Sequence, residues 1–111
     1  MVGMVDPGLD RHEWESEWQA LEEQLADSPA ETLPELDELV ARMLNERGFA
    51  IGDPVVAEGE EREIVAEFLA ARETTRLLDA GSDDVSPGDV AAAVNAYRAV
   101  FRHVIAEHGP P

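Results

Sequence analysis

An all-α fold, an antiparallel four-helix bundle, is the class this sequence predicts, on three observations. Apolar residues recur at alternating spacings of four and three along four separate segments, the pattern of helices with one buried face. Proline and glycine cluster between those segments, where they punctuate the chain. The apolar inventory is aliphatic, with 44% hydrophobic residues but only 5% aromatic, which suits helix-on-helix packing. The expected helices lie near residues 10–27, 33–47, 60–80 and 87–108. Short connections make antiparallel neighbours the simplest way to hide four stripes together.

The first element follows a loose arm, residues 1–9, which holds two glycines and a proline. From Asp10, Trp14, Trp18, Leu21 and Leu25 form one stripe, and Asp10 with Glu13 has capping-box spacing. Ser28-Pro29 ends the helix, because proline disfavours helical geometry in the residue before it. The second helix has its start signal at Thr32-Leu33-Pro34-Glu35, a capping hydroxyl with a carboxylate three residues on. Leu36, Leu39, Val40, Met43 and Leu44 make its inner face, and Gly48 stops it.

Residues 48–59, GFAIGDPVVAEG, fit no regular pattern and read as a crossing over the core edge, a short strand or an early helical turn at Pro54. The third helix carries Ile64, Phe68, Ala71, Thr75 and Leu78, broadened by Val65, Leu69 and Leu77, up to Gly81. The fourth opens on Ser86-Pro87-Gly88-Asp89, a cap, a first-turn proline and a third-position carboxylate, with Val85 placed to pack on Val90. Val90, Val94, Tyr97, Phe101, Val104 and His108 continue its stripe, and residues 109–111 form a tail. Residues 10–108 therefore read as one helical domain.

Charge bounds the function. The chain carries 25 acidic residues against 8 basic ones, a formal net charge of −17, and every basic residue is arginine. Residues 1–61 hold 17 acids and 3 arginines, so the charge is concentrated in the first half. Such a surface repels nucleic-acid backbones and anionic lipid and permits a basic protein partner. A salt-adapted or GC-rich genome would produce the same acidity with no partner at all. There is no cysteine, hence no thiolate ligand or nucleophile. No apolar run approaches a membrane span or a signal peptide, and the expected compartment is the cytoplasm.

Glycine-rich phosphate loops, G-x-S-x-G and H-E-x-x-H are absent. The chemistry that remains is weaker. Glu63 and Glu67 stand one turn apart, and His103 and Glu107 one turn apart in the last helix. Carboxylates and imidazoles so spaced are the raw material of a divalent-metal site in a bundle, although no Glu-x-x-His occurs. Glu63 and Glu67 are similar in spacing to the acidic pairs with which all-helical nucleotide pyrophosphatases hold magnesium, but the second pair is missing. Arg72 and Arg76, also one turn apart, form a candidate anion clamp. Trp14 and Trp18 serve first as core, with Trp18 expected to be the more buried. Trp14, near the arm, is the candidate anchor for an intersubunit seam. The resulting expectation is a small acidic interaction or adaptor protein, non-enzymatic and homodimeric, without a cofactor. The alternative is a metal-dependent enzyme or metal-binding bundle built on glutamate and histidine.

Overall fold

The computed structural model describes the backbone of residues 7–49, 51 and 59–108, and the side chains of 11–49, 51 and 62–106. Among these are four helices and no strand: α1 (Pro7–Asp27), α2 (Pro29–Glu46), α3 (Gly59–Asp79) and α4 (Pro87–His108). The four-helix bundle is therefore present. The tail 109–111, residues 1–6 of the arm and residues 52–58 of the crossing lie outside the described residues.

Two helix starts differ from the sequence expectation, both for the same reason. Helix α1 begins at Pro7, which places Asp10 inside the helix and not at its cap. Helix α2 begins at Pro29 with Ser28 at the cap, four residues before the expected start. Each start puts a proline in the first helical position, where its missing donor is not needed. Thr32 is consequently not a cap. It is buried, and its Oγ1 donates to the Ser28 carbonyl at 2.7 Å. Pro34 falls inside the helix and removes one ladder bond there. Burial of Thr32 and Leu33 decides the matter, since the extra turn brings both into the core.

The stops are as expected. Gly48 and Gly81 adopt positive φ, +84° and +77°. Phe49 N–H donates to the Leu44 carbonyl at 2.9 Å and Gly48 N–H to Asn45 at 3.0 Å; Ser82 and Gly81 repeat the pattern on Leu77 and Leu78. Both helix ends thus satisfy their last carbonyls through the same paired motif, which needs a left-handed residue after the cap. At the start of α4, Asp89 N–H donates to Ser86 Oγ at 3.1 Å and Ser86 N–H to Asp89 Oδ2 at 3.0 Å, the expected reciprocal box.

One core draws on all four helices, from Trp14, Trp18 and Leu21 through Leu36 and Met43 to Phe68, Tyr97 and Val104. Helix α2 packs on every other helix, whereas α1 and α3 make no contact among the described residues. Helices α2 and α4 therefore form the short diagonal. Trp18 stacks on Phe101 at 4.5 Å while Glu22 meets Arg98, so α1 and α4 run in opposite directions. Phe49 and Ile51 pack against the core, as a crossing over its edge requires. Leu77 does not broaden the α3 stripe; it is 39% exposed at the helix end.

Candidate functional site

Two features are built by the packing of α2 against its neighbours. The first is a surface groove of about 410 Å³ between α1 and α2. Glu17, Glu35 and Glu38 give it acidic walls, Ala20, Leu21 and Leu39 an apolar floor, and Arg42 one basic edge. Arg42 Nη2 donates to both oxygens of Glu17, at 3.0 and 2.9 Å, and both side chains are about half exposed. Glu35 and Glu38 are exposed.

The second is a polar network within the seam of α2, α3 and α4. Asp37, on α2 between two core leucines, receives Arg72 of α3 through Nε at 3.1 Å and Nη2 at 2.9 Å. Tyr97 of α4, with no exposed surface, donates its hydroxyl to Asp37 Oδ2 at 2.8 Å. Thr75 Oγ1 lies 2.7 Å from the Tyr97 oxygen and 3.0 Å from the Ala71 carbonyl. Two hydroxyl protons serve these three contacts: with the tyrosine proton on the carboxylate, the single threonine proton is shared between the Ala71 carbonyl and the Tyr97 oxygen. The Arg72 guanidinium lies 4.8 Å from the centre of the Phe68 ring, which meets Tyr97 edge-on. Burial pushes the Tyr97 phenol well above its usual range, and the Asp37 carboxylate beside it acts in the same direction. The hydrogen bond to Asp37 holds Arg72 above the ordinary guanidinium value. These groups engage one another across three helices.

A second groove, of about 380 Å³, lies between α1 and α4 over Leu25, Ala26, Ala91 and Val94. At its end Arg98 Nη2 donates to Glu22 at 2.8 Å, and that bond holds the Glu22 carboxyl below the usual carboxylate range.

The sequence candidates are distributed unevenly over these features. Trp14 and Trp18 are both core residues, 4% and 7% exposed, so Trp18 is not the more buried of the two. Early onset of α1 at Pro7 places Trp14 two turns inside the helix and not at its frayed end. Arg72 and Arg76 do not form a clamp: Arg72 holds Asp37, whereas Arg76 is exposed. The anion that Arg72 binds is the chain's own. Glu63 and Glu67 are exposed and His103 is half-buried, and no three acidic or histidine side chains converge among the described residues. The side chain of Glu107 lies outside the described residues. Asp37, Thr75 and Tyr97 were not singled out from sequence. The available signal was two polar-tipped residues, Thr75 and Tyr97, set in otherwise apolar stripes. Among the described residues, no helix is long and apolar enough to cross a membrane. Comparison with protein-family models, curated proteins and solved structures finds no match for this chain.

Proposed function

We propose that this chain is a small, non-enzymatic interaction protein of the cytoplasm that receives a basic segment of a protein partner. The observation that carries the proposal is the α1–α2 groove, whose walls are Glu17, Glu35 and Glu38 on a chain of net charge −17. Charge complementarity of this kind raises association rates and rejects anionic competitors. The short apolar floor suits the methylene stems of arginine or lysine, which lie along apolar surface while their heads reach carboxylates. Self-association belongs to the same proposal. It does not rest on the tryptophans, since both are used inside the subunit.

Fluorescence anisotropy with an arginine-rich peptide tests the groove. Reversing Glu35 and Glu38 together to lysine is expected to weaken binding by roughly tenfold, about 1.4 kcal/mol. The same reversal at Glu63 and Glu67, exposed on α3, changes net charge equally and serves as the control. Equal loss in both variants would reduce the interaction to bulk charge and sink the site. Light scattering on the same samples checks the dimer, and a strict monomer at micromolar concentration would remove that element alone.

A further inference from the structure

Apolar packing by itself leaves α3 and α4 more than one way to sit on α2. Their inner faces repeat the same four-and-three spacing: Ile64, Phe68 and Ala71 on one, Val90, Val94, Tyr97, Phe101 and Val104 on the other. Sliding either helix by one turn, about 5.4 Å, still sets an apolar face against α2, although it breaks the Phe68–Tyr97 edge contact and, when α4 moves, the Trp18–Phe101 stack.

The polar network does not tolerate that slide. Tyr97 reaches Asp37 and Thr75 together at 2.8 and 2.7 Å, and one turn of displacement removes both partners. A phenol with no solvent exposure would then be buried without a hydrogen bond, which is costly in an apolar interior. Moving α3 by one turn takes Thr75 from Tyr97 in either direction; one direction also strands Asp37, whereas the other brings Arg76 to it in place of Arg72, whose side chain is only 27% exposed beside an Asp37 at 14%. We infer that Asp37, Arg72, Thr75 and Tyr97 form a register key, which selects one packing of α3 and α4 on α2 without adding net stability. The second half of that statement follows from the desolvation of a partly buried ion pair. Its replacement by well-packed apolar groups is often neutral or stabilising, whereas removing one partner alone is strongly destabilising.

The test compares the single variant Asp37→Leu with the triple variant Asp37→Leu, Arg72→Met, Tyr97→Phe. The single variant is expected to lower the melting midpoint. The triple variant is expected to keep its helical circular dichroism and to melt at or above the wild-type midpoint. It should nevertheless lose the single set of sharp amide resonances and gain binding of the dye ANS, the signs of several interchanging packings. One sharp set of resonances without dye binding would overturn the inference, because register would then survive without the key. A triple variant that melts as low as the single one, or does not fold, would overturn it equally by giving the network net stabilising weight. Tyr97→Phe alone keeps the Asp37–Arg72 pair and provides a milder probe. Its midpoint is expected to shift little while its amide resonances broaden, because it removes the hydroxyl bonds that tie α4 to α2 and α3; resonances as sharp as the wild type would overturn the assignment of α4's register to the key.

Discussion

Helix α1 and the trio α2–α3–α4 are both joined to neighbours through arginine–carboxylate pairs, yet the pairs differ in what surrounds them. Glu17–Arg42 and Glu22–Arg98 flank α1 at the surface, the first with both partners about half exposed. Asp37–Arg72 lies deeper and is tied to a fully buried tyrosine. Exposed pairs contribute about 0–1 kcal/mol each because water and salt screen them. The attachment of α1 therefore rests on Trp14, Trp18 and Leu21, whereas the trio depends on polar complementarity as well. The same residue types act as ornament in one seam and as constraint in the other.

The largest expected break in this contrast is Trp18→Ala. It removes an indole stacked on Phe101, and such truncations cost roughly 3–5 kcal/mol through lost transfer energy and a residual cavity. Urea unfolding followed by circular dichroism checks it; a cost near zero would show that α1 is not held by its aromatic face. Next comes Asp37→Ala, expected to cost about 2–4 kcal/mol, because Arg72 and Tyr97 are left without their shared acceptor. If chemical denaturation finds no more loss than for a surface pair, the two seams do not differ.

A pH experiment sharpens the trio's side of the comparison. Tyr97 has its folded-state pKa raised above the ordinary value of 10.0 by burial. Its contribution is therefore complete below about pH 10 and declines as pH climbs from there toward the folded value, since the unfolded chain releases the proton first. The chain has one tyrosine, no cysteine and no lysine, so between about pH 10 and pH 12, below the arginine range, this alkaline loss is the signature of a single side chain. Tyr97→Phe is expected to flatten the melting midpoint above pH 10, and an unchanged slope would assign the loss elsewhere. The smallest effect is Arg42→Ala, at about 0–1 kcal/mol. A loss as large as that of Asp37→Ala would place the α1–α2 pair on the same footing as the buried one.

Local signals were legible in the sequence where only one arrangement satisfied them. Ser86 has a proline directly after it and a carboxylate three residues on, which its rivals Ser82, Asp83 and Asp84 lack, and Gly48 and Gly81 each come after an apolar stripe has ended. The start of α2 was ambiguous, because Ser28-Pro29 and Thr32 with Pro34 are both acceptable beginnings. Tertiary burial of Thr32 and Leu33 chose between them. The network was less legible still. Asp37 sits beside an apolar stripe like any surface carboxylate, and its tyrosine partner is 60 positions away. Composition anticipated an acidic surface, but the placement of Glu35 and Glu38 along one groove with Glu17 depends on how α1 lies on α2.

The corner between α1 and α2 has one further consequence. Ser28 alone joins them, its N–H bonded to the Gln24 carbonyl and its own carbonyl accepting Thr32 N–H. Straightening this corner into one long rod would allow copies to exchange α1, the usual route to a domain-swapped dimer. Pro29 disfavours the rod. It has no N–H for the Leu25 carbonyl, its ring would collide there, and it biases Ser28 away from helical geometry, as the observed φ of −144° and ψ of 72° reflect. Pro29→Ala is the substitution that would ease the exchange.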